Sequence, residues 1–302
     1  MSDLDVPTEV GHHSGTGPMN LRRLLTRRRV LTAMATSLAS LGAYAWRIEP
    51  RWLETVRRPL PIADLPQGLV GATLAQLSDL HVGRRIEDAY IERVCDLVRD
   101  LSPEIVVYTG DFVSYDTRVG GNATRVLSKL ACGRKGTFGV LGNHDYGGSW
   151  HDAAAADRVV SCVEESGVRI LRNELVECEG LAIGGLDDLW SQRFRPDAVL
   201  PELIRKAARL ALVHNPDAVD RREWDGYAGW ILAGHTHGGQ CKPPFLPPPL
   251  LPVQNRRYTA GEFALNGDRR LYINRGIGHT FRVRFNVRPE VTIFRLERAT
   301  VG

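Results

Sequence analysis

The chain has 302 residues, 43% hydrophobic and 25% charged, enough for one large α/β core plus a short N-terminal appendage. Its net charge of +4 is uneven, with −5 over residues 46–241 and +7 over 242–302. That leaves 46–302 at only +2, and with no aromatics interleaved on a basic stripe it argues against a nucleic-acid module. Five cysteines, at 95, 132, 162, 178 and 241, show no C-x-x-C spacing, so neither a zinc finger nor a disulfide framework is implied. For an exported chain, Cys162 and Cys178 are the pairing to consider.

Residues 1–21 are polar and are expected to be disordered. The segment Thr26-Arg27-Arg28-Arg29-Val30-Leu31 resembles the twin-arginine export signal. An uncharged stretch, 30–45, follows it, and Ala43-Tyr44-Ala45 offers an A-x-A cleavage site. Sixteen residues fall short of the ~20 that span a bilayer. A cleaved signal is therefore expected before a retained anchor, with the twin-arginine export machinery as a partner. The location follows: periplasmic, otherwise extracytoplasmic, or membrane-associated. On this reading residues 1–45 are tail and signal, and 46–302 form one domain.

The domain opens with tryptophans and basic residues over 46–58 and a proline-rich joint at Pro59, Pro61 and Pro66. Strands are predicted at 72–77, 105–109, 137–141, 175–176, 181–184, 210–213, 230–233, 271–274 and 291–296. The clearest helix is 86–101, whose apolar positions 86, 90, 91, 94, 97, 98 and 101 keep to one face. Further helices are predicted at 124–131, 153–166 and near 201–208. Strand followed by helix, repeated, predicts an α/β fold built on a mainly parallel sheet with helices outside.

Chemistry-bearing residues cluster just after these apolar runs. They are Asp79 and His81 in LSDLHVG, Asp111 in YTGDFV, Asn143 and His144 in LGNHDYGG, His214 in LVHNPD, and His235 and His237 in LAGHTHGGQ. Five of the nine histidines fall inside these motifs, more than incidental turn residues would supply. Oxygen and imidazole ligands arriving from separate strand ends suit two divalent ions sharing one carboxylate. Such a donor set accepts Mn, Fe and Zn alike.

The motifs D-x-H, G-D, G-N-H-[DE], a lone His and G-H-x-H occur in that order, and this pattern resembles the calcineurin-like metallophosphoesterase superfamily. The tail NRGIGHTFRVRFNVRPEVTIFRL, together with GHTHGGQ, resembles its exported or membrane-linked bacterial branch. The resemblance covers roughly 55–298 and implies a four-layer αββα sandwich of two mixed sheets. It implies that Asp79, His81 and His237 hold one metal, that Asn143, His214 and His235 hold the second, and that Asp111 bridges them. A metal-bound hydroxide would then attack the phosphoester, with His144 assisting the leaving oxygen and Asp145 orienting His144 through its second ring nitrogen. The implied substrates are phosphodiesters, a nucleotide-linked lipid such as UDP-diacylglucosamine, or an envelope polymer. A phosphomonoesterase is the nearest alternative, and a non-catalytic scaffold is disfavoured because every motif residue is present.

Three features stay open. Asp187 and Asp188 in GGLDDLW are candidates to line the pocket or are ordinary acidic turn residues. Arg275 in NRGIG is a candidate phosphate contact or a salt-bridge partner. PPFLPPPLLP, 243–252, six of whose ten residues are proline, is either an extended surface loop or an apolar rim touching lipid or membrane.

The export signal is testable by itself. Replacing Arg27 and Arg28 with lysine should hold the precursor in the cytoplasm on fractionation, and unchanged export would point to another route.

Overall fold

The apolar runs become the strands of two sheets in the computed structural model, which describes residues 26–115 and 120–299. The polar tail expected over 1–21 lies outside the described residues. The chain divides into a segment ending at Ala43 and a unit beginning at Tyr44. In the first, helix α1 (Arg27–Ala43) has every side chain exposed. At 1.5 Å per residue it is about 26 Å long. No described helix is long and apolar enough to cross a membrane.

The second unit runs β1 (Glu54–Ile62), β2 (Thr73–Leu77), α2 (Asp88–Leu101), β3 (Ile105–Thr109), α3 (Asn122–Leu127), β4 (Gly136–Val140), α4 (Ala153–Glu164), β5 (Arg169–Ile170) and β6 (Glu174–Cys178). It continues with β7 (Leu181–Gly185), α5 (Leu200–Leu203), β8 (Arg209–Leu212), β9 (Gly229–Ala233), β10 (Gly261–Ala264), β11 (Arg269–Ile273) and β12 (Glu290–Arg298). One sheet has the order β1-β12-β2-β3-β4-β5 and the other β10-β11-β9-β8-β7-β6. Each mixes parallel and antiparallel pairs, with β2, β3 and β4 parallel in the first and β7, β8, β9 and β11 parallel in the second.

Alternation along the central strands explains the layering. Ile105 and Val107 of β3, Leu210 and Leu212 of β8, and Trp230 and Leu232 of β9 share one core between the sheets. Their neighbours Val106 and Tyr108 face outward against α2, α3 and α4. On the far side, Ala211 and Ile231 pack with Leu200, Leu203, Trp224 and Tyr227. Two sheets between helical layers are the αββα arrangement that the motif resemblance implied. Gln76 of β2 ties the sheets together, its amide donating to the Ala233 carbonyl of β9 (2.9 Å) and to Thr109 Oγ1 (3.1 Å).

Several expectations need correction. Pro59 and Pro61 of the proline-rich joint lie in strand β1, paired in parallel with β12 at the sheet edge, while Pro66 lies beyond its end. Pro59 and Pro61 are two apart, so the edge absorbs two missing N–H donors without breaking a central ladder. The helix expected near 201–208 is one turn, α5, and β5 and β10 are short edge strands without apolar runs of their own. All five cysteines are free, Cys162 lying against Thr124 and Cys178 against the Lys135 carbonyl.

The inter-sheet core makes a sharp prediction. Phe294 of β12 is fully buried and meets Tyr272 of β11 edge-on, ring centroids 5.1 Å apart. Phe294→Ala should cost about 3–5 kcal/mol in urea unfolding with little change of slope. A loss below about 1 kcal/mol would show that the sheets pack without it.

Candidate metal centre

Parallel strands in both sheets end at one place, where side chains can converge without disturbing the core. β2 runs into Ser78 and Asp79, β3 into Gly110 and Asp111, β4 into Gly142 and Asn143, β8 into His214, and β9 into His235. The turns are tight. Asp79 (φ 52°), His81 (49°), Asp111 (53°), His235 (72°) and His237 (50°) all sit in the left-handed region. Non-glycine residues there cost of order 1–3 kcal/mol each and collect at functional sites. Glycines make room between them. A Cβ at Gly142 would lie 2.2 Å from Asp111 Oδ1, and one at Gly234 would lie 1.9 Å from Ser78 Oγ.

All seven residues expected as ligands are buried, and six of them come together in two groups. Asp79, His81 and His237 form one group, and Asp111, His214 and His235 another, the donor atoms of each lying within 4.8 Å of one another. Asp111 Oδ2 is 3.2 Å from His214 Nε2, 3.6 Å from His81 Nε2 and 3.9 Å from His144 Nε2. Asp79 Oδ1 lies 3.3 Å from His237 Nε2, while Ser78 Oγ and the His235 backbone N–H donate to its carboxylate. Asn143 Oδ1 is buried with no hydrogen-bond partner.

The donor set fits cations. His214 Nδ1 faces the Thr109 carbonyl (2.7 Å) and His235 Nε2 the Pro252 carbonyl (2.8 Å), bonds that each ring makes as a donor. As neutral rings, their other nitrogens then oppose each other at 3.1 Å with a lone pair apiece. Nearby, His81 Nε2 and His237 Nε2 meet at 3.0 Å. A cation between the His214 and His235 rings would remove that repulsion, and the buried Asn143 oxygen is a further donor without a partner.

Electrostatics point the same way. Burial opposes a charge on His214, yet Asp111, then Asp79 and Asp188, hold its imidazolium well above the usual range. A proton there takes the place of a cation. Burial likewise pushes Asp111 up, but His214, His144 and His81 hold it well below the normal carboxylate range. Burial raises Asp79 to about 6 and Asp188 to about 7, and depresses His81 and His235 to about 3. His237 falls well below its ordinary value, chiefly through burial.

The flanking residues divide. His144 is half-buried at the rim of the cluster, its Nε2 towards Asp111 and its ring edge-on to His81. The expectation that Asp145 orients this ring is corrected. The Asp145 carboxylate accepts from the backbone N–H groups of Gly142 (2.8 Å) and Val113 (3.1 Å), and His144 Nδ1 has no partner. Asp145 instead clamps the β3 and β4 loops together. Asp188 is buried against the cluster, one oxygen accepting from the Trp190 N–H and the other unpartnered. Arg275 has its guanidinium between Glu290 and Glu54.

Sequence reading missed two neighbours. Arg284 is fully buried, donates to the carbonyls of Arg275, Gly276 and Gly278, and sits 3.3 Å from His237 Nδ1. Its only signal is an arginine in an apolar alternation, Val283 and Phe285. Trp190 meets the His235 ring edge-on at 4.7 Å. Beside His237, Leu250, Leu251, Pro252 and Phe281 line an apolar cavity of about 310 Å³, whereas Phe245 and Leu246 of the same proline-rich loop stand outside it, exposed.

Comparison with known proteins shows the family. The family model described as calcineurin-like phosphoesterase matches residues 72–239. Phosphodiesterase YaeI of Escherichia coli strain K12 is 33% identical over 90% of this chain and all of its own length. YkuE of Bacillus subtilis strain 168, an uncharacterised metallophosphoesterase, is 30% identical over 90% of this chain and 98% of its own. UDP-2,3-diacylglucosamine pyrophosphatase LpxG of Chlamydia muridarum is 25% identical over 88% of this chain and 95% of its own.

The protonation pattern predicts how removing cations shows itself. His214 and Asp145 (well above their ordinary values) and Asp188 (about 7) have raised folded-state pKa values. The folded protein keeps protons that the unfolded chain has released, so their stabilisation is complete at low pH and lost as pH rises through those values. The opposite contributions of His81 and His235 are already complete above their unfolded pKa of about 6.5. Chelated protein should therefore lose several degrees of Tm between about pH 6.5 and 9, while Mn- or Zn-loaded protein stays level. Equal slopes would show that the cluster takes no cation.

Proposed function

The chain belongs to the calcineurin-like phosphoesterase family and is a metal-dependent phosphoester hydrolase; from that premise we propose that it cleaves a phosphodiester or pyrophosphate bond in an envelope or lipid-linked substrate, using two divalent ions. The observation that supports the two-ion reading is that the buried donors fall into two groups, Asp79 with His81 and His237, and Asp111 with His214 and His235, with Asp111 Oδ2 also 3.6 Å from His81. Asp79, His81 and His237 would hold one ion, and Asn143, His214 and His235 the other, with Asp111 shared. Divalent ions in such a site supply Lewis acidity and a water acidic enough to ionise near neutral pH.

The chain's own groups do the rest. His144, at the rim with an unpartnered Nδ1, would pass a proton to the leaving oxygen. Asp145 keeps it in reach by locking the loop on which it stands. Ser78 and the His235 N–H hold the Asp79 carboxylate in one orientation. The phosphodiesterase and pyrophosphatase activities of the relatives YaeI and LpxG favour a diester or pyrophosphate bond, and the apolar cavity beside His237 suits an acyl chain. Export by the twin-arginine route belongs to the same proposal and rests on Arg27 and Arg28 ahead of the uncharged stretch 30–45.

Metal analysis of the purified protein, with turnover compared across monoesters, diesters and a pyrophosphate-linked nucleotide, tests this reading. Two ions per chain and preference for diesters or pyrophosphates are expected. One ion overturns the two-ion assignment, and preference for monoesters overturns the substrate. His144 also lies within ligand distance of His81 and Asp111, so its role needs its own test. His144→Ala should retain both ions yet slow esters with poor leaving groups about 10²–10⁴-fold, sparing activated aryl esters. Loss of an ion would make His144 a ligand.

A further inference from the structure

Ten large hydrophobic side chains are exposed among the described residues of the unit beginning at Tyr44, and seven of them lie on three short stretches. Trp46, Ile48 and Trp52 belong to the first, Phe245, Leu246 and Leu250 to the proline-rich loop, and Phe281 to the third. The stretches are distant in sequence but adjoin in space. The Ala45 carbonyl accepts from the Arg284 backbone N–H (2.9 Å), and Glu49 accepts from the Val287 N–H. The Lys242 N–H donates to the Phe285 carbonyl (2.9 Å), and the Gln240 amide to the carbonyls of Phe281 and Val283. Arg288 donates to the Trp52 carbonyl (3.1 Å).

Charge on this face is predominantly positive. Within 44–52, 242–252 and 279–288 the charges that reach solvent are Arg47, Arg51, Lys242, Arg282 and Arg288, while Glu49 is buried. Glu87, from outside these stretches, pairs with Arg51 and Arg282 and leaves the balance positive. The cations lie against the aromatics: Arg47 and Arg282 over the Trp46 ring at 5.1 and 6.0 Å, and Arg288 over Trp52 at 4.3 Å. Tryptophan beside arginine, with phenylalanine and leucine at the tips, is the composition of a surface that enters lipid headgroups. Proline stiffens the loop carrying Phe245, which stands wholly clear of the protein.

We propose that this face docks on an anionic lipid bilayer, with the apolar cavity beside His237 opening towards the membrane. A second copy of the chain fits less well, because an isologous contact would set this excess of arginine against itself. Docking goes beyond the hydrolytic reading and stands whether or not the two-ion assignment holds.

The test uses the full chain and sedimentation with vesicles of mixed phosphatidylglycerol and phosphatidylcholine, against vesicles of phosphatidylcholine alone. The protein should bind the anionic vesicles at least tenfold more tightly, and added salt should weaken binding. Trp46→Ser/Trp52→Ser/Phe245→Ser should lose at least tenfold in vesicle affinity while hydrolysing a soluble diester at the original rate. Unchanged vesicle affinity in that variant would overturn the proposal and assign binding elsewhere in the chain. Self-association of the unmodified protein that the same substitutions abolish, without vesicle binding, would make a second copy the occupant and overturn it too.

Discussion

The structure turns on burying ionisable groups that have too few protein partners. Asp79, Asp111, Asp188, His81, His214, His235 and His237 lie together beneath the surface, and hydrogen bonds within the chain leave facing lone pairs and an orphaned amide oxygen among them. Such a cluster is costly without cations or protons and stable with them. Two sheets whose parallel strands end at one point supply donors from both sides. Gln76 spans the sheets directly below, so inter-sheet packing and cluster spacing cannot vary independently.

Strain is part of the same arrangement. Five of the clustered residues adopt left-handed backbone conformations, and Gly142 and Gly234 stand where any side chain would collide with Asp111 or Ser78. The core between the sheets holds those turns in place. Asp145, by clamping the β3 and β4 loops through Gly142 and Val113, shows a buried carboxylate serving backbone geometry rather than chemistry.

What could be read from sequence follows from how each feature is encoded. The central strands are legible because both faces are buried, giving near-continuous apolar runs ended by the motif residues themselves. The seven residues expected as ligands stand out in the sequence because each sits within four residues of such an end. Strand β1 does not, since Pro59 and Pro61 read as a joint until pairing with β12 shows them on an edge. Arg284 was invisible because its role is tertiary: one guanidinium gathers three carbonyls of the 275–278 turn behind His237. Asp145 was misread for a related reason. The family resemblance implied a ring contact with His144, while the fold gives its carboxylate two backbone donors, Gly142 and Val113.

The division of labour between strands and connections explains how chemistry and recognition coexist. The cluster is built from residues at the strand ends, where the core fixes position. The segments that leave it, 242–252 after β9 and 279–288 before β12, return to no sheet and bear the apolar and cationic surface. Arg284 joins the two, its backbone N–H bound to Ala45 on the surface side and its guanidinium reaching the turn behind His237. Loop composition can therefore change what meets the cluster without moving it, provided Arg284 stays buried.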